Sequence, residues 1–469
     1  MTGGRRGLPL VVLLAAATAG ACTVGPNFNR PAVLLPDTFR GDGAPTEDAA
    51  NPALGDQTWW DLFQDDRLRE LIGTALRQNF DLRIAAARIV EAQAQFRITR
   101  ADQLPTLDAE GSASRSRVAR SVVPFALDPY EVSDFRLAVT ATWEVDFWGK
   151  YRRATEAARA ALVATEWGRR AVTTSLVAQV ASAYFETRSL DVQREIATGA
   201  LASRREALRL TELAARGGAV SFLDVRGAEQ LVFTAAGTIA DLDRQIAQQE
   251  NYISVLLGLN PAAVPRGASF EQQAGLPEVP AGVPSALLDR RPDINQAEQR
   301  LIASNANVGI AKAAFFPQLS LTGSGGAESS ALSDLLSQPA GFWSVGAGLV
   351  QPVFNAGRTR SRVAAAAAQT QEAALVYQQT VLQSLREVSD ALVAYRQGHL
   401  FREQQQLLDR SAGEARRLVE IRYRGGATSF LEVLDSETRA FSAQLGLAQA
   451  ELNERLALVQ IYRALGGGW

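Results

Sequence analysis

The sequence predicts a mainly α-helical chain with a small β part, built as a tandem duplication of long helical hairpins. Three observations lead there. The stretch "RGGAVSFLDV" at Arg216 to Val225 returns as "RGGATSFLEV" at Arg424 to Val433, and at the same offset of 208 residues Glu229 and Phe233 fall on Glu437 and Phe441. Further upstream, at an offset of 212, Asp81, Ala85, Arg88, Ile98, Pro105, Leu107 and Gly111 fall on Asp293, Ala297, Arg300, Ile310, Pro317, Leu319 and Gly323. Two proline-free stretches, Lys150 to Arg216 and Arg358 to Arg424, are rich in strong helix formers. Before each lies a pair of segments in which apolar and polar residues alternate, the period of a strand.

The chain begins with an export signal, residues 1–21. Arg5 and Arg6 precede an apolar run from Leu8 to about Ala19 that is too short and wrongly flanked for a spanning helix. Cys22 is the only cysteine, which leaves no internal disulfide and no thiol metal cluster. Cleavage after Ala21 would leave it an incidental thiol. "AGAC" also resembles a bacterial lipoprotein signal, which implies that Cys22 becomes the lipidated first residue, with Thr23 after it directing the protein to the outer membrane.

Residues 22–60 then form an extended N-terminal segment, 61–260 the first repeat, 261–284 a linker rich in Pro and Gly, and 285–469 the second repeat. Each repeat reads as helix, β-hairpin (106–148 and 318–356), long helix, tip turn (216–221 and 424–429) and returning helix. At 1.5 Å per residue each long helix measures about 100 Å, more than one globular core can cover, so it must pack laterally on others. In the second, Val381, Leu385, Val388, Leu392 and Tyr395 step by four and three like a coiled-coil seam.

At the tips, Gly217 and Gly218, and Gly425 and Gly426, can end a helix in the left-handed conformation. Ser221 with Asp224 caps the next helix, and Ser429 with Glu432 spells a capping box. Turn geometry does not demand the apolar pairs that follow, Phe222–Leu223 and Phe430–Leu431. On an exposed tip they form a contact site for a partner; burial between the hairpins is the alternative.

Along the strands, Leu137, Val139, Ala141, Trp143, Val145 and Phe147 share one face, with Trp343, Val345, Ala347 and Leu349 as their counterparts in the second copy; Thr140, Thr142, Glu144 and Asp146 take the other. A half-buried soluble sheet or an outer-membrane barrel with its apolar face outward would both look like this. Four strands are too few to close, and a sheet edge cannot stay open in lipid. Two chains would give eight strands and a filled interior, three would give twelve and a lumen.

Composition excludes several classes. The net charge is −2, the only lysines are Lys150 and Lys312, and arginines are scattered among acids, so no nucleic-acid surface is indicated. Past the signal no apolar run approaches the roughly 20 residues of a spanning helix. His399 is the sole histidine and falls at a seam or boundary position one step past Tyr395. Without a usable thiol, a histidine pair or a phosphate-binding glycine loop, neither a nucleophilic triad nor a zinc site assembles, and no cofactor is expected.

"CTVGPNFNRP" at Cys22, "RRPDINQAEQRLIASNANVGIAKAAFFPQLSLTGSGG" at Arg290 to Gly326, "PVFNAGR" at Pro352 to Arg358 and both tip turns resemble the TolC/OprM-type outer-membrane efflux ducts, especially their NodT-like lipoprotein branch. The resemblance spans essentially the whole mature chain. It implies a homotrimer, with an α-barrel tunnel reaching into the periplasm and a 12-stranded outer-membrane β-barrel. It also implies docking of the tips onto a periplasmic membrane-fusion adaptor, and an inner-membrane pump, commonly proton-driven and RND-type, beyond it. Carried over singly, the family's constriction falls on Arg424, Leu431 and Asp435, with Tyr423 and Glu432 as network members; a second family arginine falls on Thr438, beside Arg439. The exit duct of a type I-like protein secretion system shares this fold. A non-channel helical envelope lipoprotein would explain the rods and the anchor but not the duplicated strand pairs.

Overall fold

The computed structural model describes residues 23–40, 63, 65–117, 131–267 and 284–467. The export signal, Cys22 and residues 268–283 of the linker lie outside them. The elements run α1 (Asp66–Gln78), α2 (Phe80–Ala101), β1 (Thr106–Arg117), β2 (Glu131–Val145), α3 (Lys150–Arg216) and α4 (Phe222–Leu256), then a short α5 (Leu287–Arg290), α6 (Pro292–Ala313), β3 (Gln318–Ser329), β4 (Gly341–Val350), α7 (Arg358–Arg424) and α8 (Phe430–Ala464). The long helices α3 and α7 have 67 residues each, with the ends the sequence predicts, and the returning helices α4 and α8 have 35 each.

Two compact units divide the chain. One consists of Met1–Pro31, Ile89–Thr165 and Ala297–Tyr377 and holds the sheet. Its four strands form an antiparallel meander in the order β1-β2-β3-β4, so the two copies of the repeat join edge to edge where β2 meets β3. The post-signal segment docks beside this sheet. Val24 N–H donates to the Trp148 carbonyl at 3.0 Å, and Arg30 binds the buried Glu298 carboxylate through two hydrogen bonds of 2.7 and 2.8 Å. The Arg153 guanidinium, nearly inaccessible, donates to Asn27 Oδ1 at 2.9 Å. Gly149, at φ +78°, has no room for a side chain, because a Cβ there would lie 3.0 Å from the Thr23 backbone.

The second unit comprises Ala32–Arg88, Glu166–Gln296 and Gln378–Trp469. Asp65 caps α1 by accepting from the Arg67 amide at 2.8 Å, and Asn79 both ends α1 and caps α2 through the Asp81 amide. The core gathers Val177, Val180, Tyr184, Ile294, Ile461 and Tyr462, each almost fully buried. Tyr184 donates its hydroxyl proton to Asp65 Oδ2 at 2.7 Å and accepts from the Gly267 amide, while Arg266 reaches Asp191 and Glu250. Those bonds fasten the start of the 261–284 linker to α3 and α4. The seam on α7 is buried at Val381, Val388 and Leu392, as its spacing predicts, and half-buried at Leu385 and Tyr395. A second apolar row on the same helix, Leu382, Val393, Leu400, Leu407 and Leu418, stays exposed. A helix apolar on two sides has neighbours to pack on both, and among the described residues nothing covers this second row.

Candidate functional site

The register settles which side chains share a sheet face. Partners across the ladder lie on the same side, so Leu107, Ala141, Gly323 and Val345 form one row, with Val139, Gly325 and Trp343 in the next and Trp143, Leu321 and Ala347 on the other flank. Val145, Leu319 and Leu349 close the band at one end; Phe135 and Ala113 close it at the other. Beyond them the face turns charged, with Arg115 and Glu131 paired at 2.7 Å. From Phe135 to Val145 is ten steps, about 33 Å along a strand. A tilt of about 40° reduces that to about 25 Å, the height of the lipid-facing band of an outer-membrane barrel. Trp343 and Val345 are 81% and 80% exposed and Leu349 69%, so nothing among the described residues covers them. Phe147 departs from the expectation. β2 ends at Val145, and Phe147 lies in the turn into α3, where Asp146 Oδ2 accepts from the Arg152 amide and bends the chain away from the ladder.

The opposite face is polar and mostly acidic. It carries Asp108, Glu110, Asp134, Glu144 and Glu328, with Arg136 stacked over the Phe342 ring at 4.5 Å and 3.4 Å from Glu328. Aromatic side chains mark the helical end of the band. Trp143 Nε1 donates to the Gln103 carbonyl, and Trp148 stacks on Phe316 with centroids 4.5 Å apart.

In the helical unit the two tips share a backbone but not an environment. Gly218 and Gly426 stand at φ +73° and +72°, each following a helix whose end is closed by paired bonds: Ala219 to Ala214 with Gly218 to Ala215, and Ala427 to Arg422 with Gly426 to Tyr423. These are Schellman closures, and they rest on Gly218 and Gly426, while Gly217 and Gly425 complete the last helical turn. The reciprocal capping box forms at Ser221 and Asp224. Ser429 has the same cap backbone but makes no side-chain cap bond, which reverses the expectation from Glu432. The turn is therefore set by the left-handed glycine and not by the box.

A second correction concerns the apolar pairs. Phe222, Leu223 and Leu431 are 70%, 80% and 71% exposed, whereas Phe430 is buried at 7%. Phe430 packs with Ala228 and Val433 under Leu208, Val419, Tyr423 and Leu434, its ring 5.4 Å from that of Tyr423. It holds the tip together and is not part of its outer surface. Burial and the charge of Asp224 raise the Tyr423 phenol above its ordinary pKa.

The remaining constriction residues are solvent-facing, and Arg424 and Asp435 are paired along their own helices. Arg424 stands 4.0 Å from Glu420, and Asp435 is 2.9 Å from Arg439, the residue beside Thr438. Thr438 spends its hydroxyl on the Leu434 carbonyl. Among the described residues no hydrogen bond or ion pair links Arg424, Glu432 and Asp435 to one another. His399 lies within α7 on its exposed side, its Nδ1 2.7 Å from the buried carboxylate of Glu454, which Arg402 also binds.

A family model described as outer membrane efflux protein matches residues 71–259 and 283–467, one segment for each repeat. The chain belongs to the outer membrane efflux protein family. It is 35% identical to the solvent efflux pump outer membrane protein SrpC of Pseudomonas putida, with 99% of this chain and 98% of the relative covered. To the cation efflux system protein CusC of Escherichia coli it is 32% identical, with 98% of each covered. Among solved structures, the Campylobacter jejuni CmeC outer membrane channel superposes with a TM-score of 0.90 at 25% identity, covering 96% of this chain and 95% of that one. The Neisseria gonorrhoeae MtrE outer membrane channel in its open state gives 0.86 at 31%, covering 95% and 98%. The fold is thus that of one protomer of a trimeric duct: long helical hairpins for a tunnel, and four strands of a twelve-stranded barrel. As a member of this efflux family, the protein is an outer-membrane exit duct of a tripartite efflux system.

Proposed function

We propose that this duct is passive, is anchored by lipid on Cys22, and receives its cargo from a periplasmic adaptor seated on the helical tips, with an inner-membrane pump, RND-type, behind it. The observation that carries the reading is the aligned apolar band on a sheet with two unpaired edges, since a polar-faced, open-edged sheet has no stable place in lipid until copies close it. Lipid on Cys22 fits the docking of the segment that follows it, Thr23 to Arg30, beside the sheet. A second anchor next to a barrel wall adds to what a single acyl chain holds only marginally.

Cargo breadth fits the same picture. Relatives of nearly equal identity are named for solvent efflux and for cation efflux, so specificity lies in pump and adaptor, and the duct contributes a channel without chemistry of its own. Leu223, Phe222 and Leu431 form the apolar part of the docking surface. A photo-crosslinker placed at position 223 or 431 should capture the adaptor in cells, while one at Phe401, partway up α7, should not. An adduct from position 401 alone would refute docking at the tips.

A further inference from the structure

Arg204, on α3 some three turns before the first tip, is 3% exposed, unusual for a guanidinium. It touches both other helices that meet it: Nη1 donates to the Leu231 carbonyl of α4 at 3.1 Å, and on α8 the cation lies 4.6 Å above the Phe441 ring with Glu437 Oε2 3.9 Å from Nε. At 3.9 Å that last contact is an ion pair and not a hydrogen bond, and Nε makes none. Glu437 in turn faces Arg416 and Glu420 of α7, and burial raises its carboxyl above the ordinary range while it lowers the Arg204 guanidinium. Close by, α4 and α8 approach until a Cβ on Gly227 would lie 2.7 Å from Leu434. The duplication breaks here: at an offset of 208, Arg204 falls on Ala412 and Leu231 on Arg439. The contact therefore exists once per protomer, between the first hairpin and the second.

We propose that Arg204 is a positioning residue that ties the two hairpins of one protomer together through Glu437 and Phe441, and that the incomplete satisfaction of this buried pair leaves the tip end poised to part. The two statements follow from one rule. Removing one partner of a buried pair strands the other charge and is strongly destabilising, whereas replacing both by apolar side chains of similar volume is often neutral or stabilising. Parting the hairpins would hydrate both charges. The inference rests on the family's constriction lying at the tips, at Arg424, Leu431 and Asp435.

The test is resting conductance of the purified trimer in planar bilayers for Arg204→Met, Glu437→Leu and the double variant, with Asp435→Ala in parallel and detergent-resistant trimer as the control for assembly. Each single variant should raise resting conductance about tenfold or more, and the double variant should return it to the parent level or below. Should Arg204→Met fail to assemble, Glu437→Leu carries the test. A single variant that assembles and conducts like the parent overturns the tie, and a double variant as open as the singles overturns the claim of incomplete satisfaction. If Asp435→Ala opens the duct while Arg204→Met leaves it closed, the tie falls and the tip reading stands; if neither opens it, both fall.

Discussion

Replacing Val345 by Arg separates a lipid-facing sheet from a water-facing one. Val345 is 80% exposed in the single chain and aligned with Leu107, Ala141 and Gly323 close to the middle of the apolar band. On a water-facing surface such a change costs within about 0.5 kcal/mol. At the midplane of an outer-membrane barrel an arginine costs about 2–4 kcal/mol, falling to about 0–1 near the interfaces. The same substitution at Leu349, at the edge of the band, should therefore cost under about half as much. At Ser344, which faces the other way and shares a 2.7 Å hydroxyl contact with Ser324, it should cost little beyond that contact. A trimer carries the change three times, so Val345→Arg should nearly abolish folded trimer, as read by urea titration during folding into lipid vesicles. Equal midpoints for the variants at 344 and 345 would refute the assignment of the faces, and a penalty larger at 349 than at 345 would refute the position of the band.

Other expectations follow from the same geometry. Phe430→Ala should cost about 3–5 kcal/mol, as for other buried phenylalanines, and Phe222→Ala within about 0.5 kcal/mol; protease sensitivity of the tips reads the difference, and equal effects would contradict the unequal burial. The polar sheet face carries Asp108, Glu110, Asp134, Glu144 and Glu328 against Arg136, with Lys150 paired to Glu144, so the lumen it lines should favour cations. A reversal potential measured across a salt gradient should shift toward zero in Asp108→Asn with Glu110→Gln, and an anion-selective parent would rule the reading out. Cys22→Ser should remove the mass of the lipid from the mature chain while the strap from Thr23 to Arg30 still docks; an unchanged mass would show that Cys22 carries none.

The long helices were legible to the residue, because a proline-free run of helix formers and a double glycine are local signals that need no partner. The strands were legible as a face, because a period of two survives whatever lies opposite. What escaped was decided across space. "SFL" is spelled identically at both tips, yet Phe430 is buried and Phe222 is not, since burial depends on Leu208, Val419 and Tyr423, which no local pattern connects. Phe147 continued the alternation in sequence but not in the ladder, because Asp146 bends the chain. Arg204 gave no signal of its own; only the mismatch with Ala412 at the repeat offset marks it. The constriction residues were found by resemblance alone, and within one chain Arg424 and Asp435 remain surface charges paired along their helices.

The junction of β2 with β3 has a consequence for symmetry. The edge that joins the two halves of one chain is of the same kind as the edge that must join β4 to the β1 of a neighbour, so around the barrel six near-equivalent hairpins succeed one another. Nothing in the ladder marks where a chain ends and the next begins. At the tips that equivalence is lost: one hairpin offers its phenylalanine, the next hides it, and a single arginine ties them in pairs. The wall of the barrel thus presents a pseudo-sixfold surface and the tips a threefold one, and any ring of partners that grips the tips meets two kinds of hairpin in strict alternation.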